Sequence, residues 1–202
     1  MVRLWRRLVR TKLARDEQGA ALLEFAITLP LLVVFVVGIY DFSGAFNQKQ
    51  KIAQAAQEGA IIAGAQPMND IEPLNPNANG PDSLQPVVTS VLNSLIGSKV
   101  IQTGACTAPG TPSHSGTSLT WTFTISGCSA TYTGDNLVIT INRGKSSGAV
   151  AAGVPVAVAT VVTVSYPYHW RFGSVIQLLF PGPNSYLTPT PVTESSWVHN
   201  QT

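Results

Sequence analysis

Charge is what this sequence most lacks. Asp, Glu, Lys and Arg make up 11% of its 202 residues, against about 25% in ordinary soluble domains. Aromatic residues are 8%, and there are only two cysteines. So little charge excludes a charge-driven disordered chain, and 17 Gly with 14 Pro fall short of a low-complexity one. A net charge of +2 gives no footprint for nucleic acid. His114, His169 and His199 are scattered, without metal-ligand spacing. The few charges are unevenly placed. Six of the twelve basic residues lie at Arg3, Arg6, Arg7, Arg10, Lys12 and Arg15, whereas only Lys99, Arg143, Lys145 and Arg171 follow Ala60.

What is present, directly after this basic tip, is a long apolar run. Residues 20–40, AALLEFAITLPLLVVFVVGIY, carry a single charge, Glu24. As a helix the run reaches about 32 Å, close to the thickness of a bilayer's hydrocarbon core. The excess of basic residues before it places residues 1–19 in the cytoplasm and the remainder outside. A secretory signal peptide has a shorter apolar stretch, about 7–15 residues, and ends in a small-residue site. A plain membrane anchor fits the length but leaves the carboxylate of Glu24 unexplained, and an ionisable group inside a span points to function by default.

The stretch Asp16-Glu17-Gln18-Gly19-Ala20-Ala21-Leu22-Leu23-Glu24-Phe25 resembles the processing site of type IV pilin-like proteins. The resemblance implies that a prepilin peptidase cuts between Gly19 and Ala20, which makes Glu24 the fifth residue of the new chain, followed by the aromatic Phe25. Gly19 would enter a protease cleft with no side chain in the way. The new α-amine is a cation, and Glu24 of a neighbouring helix can neutralise it in low dielectric. The competing reading has Glu24 snorkelling to the headgroups.

Helical character continues past Tyr40. Residues 41–65 hold no Pro and are rich in Ala, Gln and Lys. Ile39, Phe42, Phe46, Lys49, Ala53, Ala56, Ala60 and Ala63 recur at heptad spacing and predict a packing seam, with Gln48, Lys51, Gln54, Gln57 and Glu58 off it. The seam can face this chain's own outer domain or other subunits. Glycines at 38, 44, 59 and 64 permit close approach of a neighbour, and Pro30 removes one helical donor. Glu24-Phe25, Leu29-Pro30-Leu31, Gly38 to Phe42 and Ala55-Ala56-Gln57-Glu58-Gly59-Ala60 together are similar to the TadE-like family, the pseudopilins or minor pilins of tight-adherence pili. The similarity covers about residues 17–65. The family often has Arg after that Gly-Ala step, where this chain has Ile61, so the end of the stalk is less basic than expected.

Residues 66–81 are rich in Pro, Asn and Gly and read as a linker. Asp82 or Ser83 is expected to cap a helix carrying Leu84, Val88, Val91, Leu92 and Leu95, with Gly97 as its stop. The period then becomes two. Leu119, Trp121, Phe123 and Ile125 alternate with polar residues, and further strands are expected at 137–142 and 154–166. Residues 128–133 are expected to form a partner strand or an irregular edge. The tail from Pro181 is expected to add an edge strand near 185–188 and then fray. The fold class is therefore α+β: a long N-terminal transmembrane and amphipathic helix, then a small antiparallel sheet, as in pilin heads. The division is 1–19 basic leader, 20–65 membrane helix and stalk, and 66–202 extracytoplasmic domain.

Cys106 and Cys128 lie in the part placed outside, where one disulfide is the simplest state and two buried free thiols are the alternative. Gly144-Lys145-Ser146-Ser147-Gly148 matches G-x-S-x-G, but the residues after it have strand character, whereas a nucleophile elbow needs a helix there. A phosphate loop would need Gly at Ile139. No catalytic residue, cofactor or metal is expected. The aromatic segment Tyr166 to Phe172 is expected to cover the sheet end, with a partner surface as the alternative. The resemblance implies a non-enzymatic, single-span component of the bacterial inner membrane, possessing the bilayer, the prepilin peptidase and other pilins as partners. The competing class is an outer binding domain on an uncleaved anchor.

Overall fold

The computed structural model of the chain describes residues 17–70, 80–102, 104, 106, 109–114, 119–132, 134–146, 158–173, 177 and 188–201. The basic tip at 1–15, most of the expected linker, Ser147-Gly148, residues 154–157 and residues 185–187 lie outside them. Helix α1 runs unbroken over Glu17–Ala65, through Pro30. A 3-10 turn, Asp82–Leu84, leads into helix α2, Gln85–Gly97. Five strands follow: β1 Ser113–His114, β2 Thr120–Ile125, β3 Leu137–Ser146, β4 Val158–Tyr168 and β5 Thr190–His199. They form one antiparallel sheet in the order β1-β2-β3-β4-β5. The arrangement is α+β, with a long apolar N-terminal helix and a small sheet.

Alternation decides the sheet's inner face. Trp121, Phe123 and Ile125 of β2, Leu137, Ile139 and Ile141 of β3, and Val162, Val164 and Tyr166 of β4 are all buried. The same inner face takes the last turns of α1 and one side of α2. Ile52, Ala55, Ala56, Ala60 and Ala63 of α1 meet Leu84, Val88, Val91 and Leu95 in one core. Helix α1 lies antiparallel to β4. A Cβ on Gly44 would stand 2.6 Å from the Tyr168 hydroxyl, one on Gly59 2.6 Å from Val91 and 3.3 Å from Val162, and one on Gly64 2.7 Å from Val198. The twenty residues from Gly44 to Gly64 rise about 30 Å, which is also the length of nine residues of strand. The helix therefore runs the length of β4 beside β5, and Gly59 and Gly64 set its distance.

The heptad seam holds only at its C-terminal half. Ala56, Ala60 and Ala63 are buried, but Ile39, Phe42 and Phe46 are 69%, 70% and 60% exposed. A straight helix of 3.6 residues per turn drifts about 20° per heptad from a 3.5-residue seam. Over more than three heptads the upper positions rotate off the face that meets the sheet. The covered stripe follows the helical period instead, through Asp41, Gln48, Ile52, Ala55, Gly59 and Ala63.

Neither Asp82 nor Ser83 caps α2 with its side chain. The Ser83 N–H instead donates to Asp70 Oδ2 at 2.7 Å. Helix α2 does end at Gly97, but Gly97 does not carry the closing turn. The helix closes one step later, with the Lys99 N–H on the Ile96 carbonyl and the Val100 N–H on Leu95. That pair of hydrogen bonds goes with Lys99 at φ 58°, the left-handed position usually given to Gly.

The tail does not fray. Strand β5 pairs with β4 from Ala159↔His199 to Tyr168↔Thr190, and the Gln201 N–H donates to the Gly64 carbonyl at 3.0 Å. Its inward residues are Val192, Glu194, Ser196 and Val198. Two of the four are polar, so the alternation was too weak to show. Residues 126–130 are irregular and not a strand.

Arg143 joins these elements. It occupies the inward position after Leu137, Ile139 and Ile141, and it is fully buried. Its Nη2 donates to the carbonyls of Ala63 (3.0 Å) and Gln66 (2.8 Å), and its Nη1 to Pro67 (3.2 Å) and to Ser83 Oγ (3.1 Å). These carbonyls are the open C-terminal end of α1, which has no basic residue of its own in its last turn. A cation there meets both the unsatisfied carbonyls and the negative end of the helix dipole. Burial lowers the Arg143 pKa, and the charge of Asp70 opposes that shift. Replacing Arg143 by Met should take the charged donor from the part-buried Gln66 and Pro67 carbonyls, leave the buried Ala63 carbonyl with only the Gln66 N–H, and cost about 3 kcal/mol. Arg143→Lys should lose less, since an ammonium still reaches some of them. Chemical denaturation of the full chain in detergent checks both, and an Arg143→Met protein as stable as the wild type would contradict the assignment.

Candidate functional site: the membrane helix and its collar

Among the described residues none packs around the N-terminal half of α1. The most apolar 18-residue window within Gly19–Ala65 has mean hydropathy 2.6 and is 0% buried. Leu22, Leu23, Phe25, Ile27, Leu31, Leu32 and Phe35 are each more than half exposed. A surface of that kind needs a lipid or protein solvent, and the helix is long and apolar enough to cross a bilayer.

Gly19 and Ala20 are the third and fourth residues of α1, and both are exposed. Their amides belong to the first turn, which has no intrahelical acceptors. A protease that binds extended chain therefore has to unwind only a turn that is already weakly held. Glu24 and Phe25 lie one turn further on and are also exposed. The Thr28 hydroxyl donates to the backbone carbonyl of Glu24, while the Glu24 carboxylate takes part in no ion pair among the described residues. The structure thus brings the four residues together on one helix end and leaves the carboxylate available to another chain.

At the other end of the apolar run the head domain forms a collar around α1. Its centre is Asp41, which is 1% exposed. The carboxylate accepts the backbone N–H groups of Arg171 (3.2 Å) and Phe172 (3.1 Å). The Tyr168 hydroxyl donates to the Asp41 carbonyl at 3.1 Å. Burial raises the Tyr168 pKa, as does the charge of Asp41. Ring contacts surround this point: Tyr40 meets Phe172 edge-on at 5.6 Å, and Phe42 meets Trp170 at 5.8 Å. The Trp170 indole N–H donates to Thr190 Oγ1, and Gln48 Nε2 donates to the Pro167 carbonyl. Lys49 pairs with Glu194 of β5 at 3.3 Å.

The aromatic segment therefore packs at the sheet's end, and what it packs on is the membrane helix. Below Trp170, His169 Nε2 donates to both oxygens of Asp135, at 3.0 and 2.9 Å, and its ring stacks on Tyr132. Tyr166 is buried, with its hydroxyl on the Cys128 carbonyl. Burial first, and the charge of Asp135 second, push the Tyr166 pKa up to about 12. Asp41 was not among the residues singled out for a role. Its sequence signal was a lone acid one residue beyond the apolar run, in the step Gly38 to Phe42.

Cys106 and Cys128 are brought to bonding distance. Cys128 is in the core and Cys106 packs against it. Gly144, Lys145 and Ser146 end strand β3, with a bulge between Asn142 and Lys145, and β3 pairs with an antiparallel strand. Among the described residues no group of three or more His, Cys, Asp or Glu could hold a metal ion.

A family model described as TadE-like protein matches residues 19–60. That range is a fifth of the chain and takes in the Gly19-Ala20 step, Glu24, the apolar run, Asp41 and the Gly59-Ala60 end. The match relates this part of the chain to pilus components of the tight-adherence type. No curated protein and no solved structure matches the chain.

Two measurements follow from the collar and the cysteines. Asp41→Ala should free the Arg171 and Phe172 amides, at about 1–3 kcal/mol. Their hydrogen exchange should accelerate while β2 and β3 stay protected; unchanged exchange at 171 and 172 would dismiss the clamp. In never-reduced, unfolded protein neither Cys106 nor Cys128 should take a thiol label, and full labelling of both would exclude the bond.

Proposed function

We propose that the chain is a pseudopilin or minor pilin of a tight-adherence pilus assembly or secretion machine, without enzymatic activity. It inserts with residues 1–19 on the cytoplasmic side and its head outside. A prepilin peptidase trims it after Gly19, and it packs laterally with other pilin-type subunits through α1. The observation that carries this reading is the division of one 49-residue helix into two environments. Its C-terminal half is held across a sheet by Asp41 at one end and Arg143 at the other. Its N-terminal half is bare, and Val34, Phe35, Gly38, Ile39, Phe42 and Phe46 make a wholly apolar face that continues beyond the span. A Cβ on Gly38 would meet nothing within 4 Å, unlike those on Gly44, Gly59 and Gly64, so a second backbone can come close here. A rigid rod with a clamped head delivers that face to a neighbour in a defined orientation, which an assembly subunit needs and a tethered binding domain does not.

In this reading Glu24 neutralises the α-amine of an adjacent processed subunit, where low dielectric makes an unpaired charge expensive. Intact-mass analysis with and without the peptidase tests the cut. The wild type should lose 19 residues and leave 183 of 202, and Gly19→Leu should stay whole but still insert. The same N-terminus in both proteins would move the cut elsewhere. Glu24→Ala should be cut and inserted normally but recover markedly less of the other pilus components on copurification. Normal recovery and normal piliation would leave the uncleaved-anchor reading in its place.

A further inference from the structure

Six cations follow Arg15 in this chain: Lys49, Lys51, Lys99, Arg143, Lys145 and Arg171. Three of them, Lys51, Lys99 and Arg171, line one open groove of about 410 Å³, together with Tyr40, Gln48 and Tyr168. They come from α1, from the turn after α2 and from the segment after β4, so only the folded chain brings them together. Among the described residues the ion pairs are Lys49–Glu194 and His169–Asp135, and none of the three cations takes part in either. The nearby carboxylate of Asp41 is buried and already accepts the two backbone N–H groups of Arg171 and Phe172. Three like charges around one groove repel one another unless an anion sits among them. Lys99, moreover, holds a left-handed backbone, φ 58°, where Gly would be the unstrained choice. The side chain kept at that position is an ammonium facing the groove.

The groove's height along α1 points to the anion. Tyr40 is the last residue of the apolar run, and Lys51 is eleven residues beyond it, about 16 Å. The headgroup layer occupies about 5–8 Å beyond the hydrocarbon edge. The groove therefore begins at that edge and extends above the headgroup level, from where the long side chain of Lys51 reaches back toward it. Tyr40, Trp170 and Phe172 lie at the same level, as interfacial aromatic residues do. We propose that this groove binds the phosphate of an anionic phospholipid in the leaflet on the head-domain side. Arg171 would fork onto the phosphate oxygens, and Lys51 and Lys99 would add point charges. A bilayer presents such phosphates at the groove's mouth at high local concentration, which a soluble phosphate does not match. The head would then be tied to the membrane surface as well as to its helix, which limits its tilt about the end of the span.

The basic residues 1–15 also attract anionic lipid, so the test has to be local. The full chain is placed in nanodiscs of phosphatidylcholine alone or with phosphatidylglycerol, and acetylation is followed at each lysine by mass mapping. Phosphatidylglycerol should slow Lys51 and Lys99 by about five-fold or more, and slow Lys49, at the same height but paired with Glu194, by clearly less. Arg171→Gln should remove much of that protection with the thermal unfolding midpoint unchanged. Equal rates at all three lysines in both discs would overturn the proposal, as would protection that ignores Arg171→Gln. Equal protection by millimolar inorganic phosphate in phosphatidylcholine discs would assign the groove to a soluble anion instead. Protection that appears only when purified pilus subunits are added would assign it to a protein partner.

Discussion

The buried guanidinium of Arg143 is the point on which this fold depends. A helix of 49 residues ends against the head with its last carbonyls pointing inward, and no basic residue of its own near them. Left unpaired in the core, each would carry the full penalty of a desolvated acceptor. From the middle strand of the sheet Arg143 reaches the Ala63 carbonyl in the last turn and those of Gln66 and Pro67 just past it, and it also binds Ser83 at the entry to α2. One side chain therefore fixes helix, sheet and second helix with respect to one another. Ile61 offers the helix end no charge, and a residue some eighty positions later supplies the cation.

The opposite end of the clamp has a different chemistry. Asp41 sits where the apolar run gives way to the stalk, and its carboxylate takes two backbone N–H groups that no strand or helix satisfies. Hydrogen bonds to a charged acceptor are stronger than neutral ones, and this one is shielded from water by Tyr168, Trp170 and Phe172. Between Asp41 and Arg143 the glycines at 59 and 64 let the helix lie close on β4, β5 and α2. The result is a lever with a fixed head. An anionic lipid in the groove beside Tyr40 would act on the same joint, since Arg171 supplies both the amide that Asp41 holds and one wall of that groove.

Much of this was legible from local pattern. The apolar run, its length and its single carboxylate needed only composition and the rise of a helix. The alternation at Trp121, Phe123 and Ile125, and at Val162, Val164 and Tyr166, placed two strands and their inner faces. Leu84, Val88, Val91 and Leu95 placed α2. These signals survive without tertiary context because they report period, and period is a property of neighbours in the chain. Where the signal was weak, as in β5 with Glu194 and Ser196 on its inner face, the strand was misplaced.

What the sequence determined by itself was therefore the anchor, the fold class and most of the elements. Only the tertiary structure decided which stretch of α1 the head covers, because a heptad seam and a straight 3.6-residue helix part company by about 20° per heptad. Only it could make Asp41 and Arg143 partners of a single clamp, since a buried charge is chosen by the backbone groups around it, and those come from residues more than seventy positions away. The meeting of Lys51, Lys99 and Arg171 belongs to the same class: charges far apart in the chain repel across a groove only when three elements have been packed side by side.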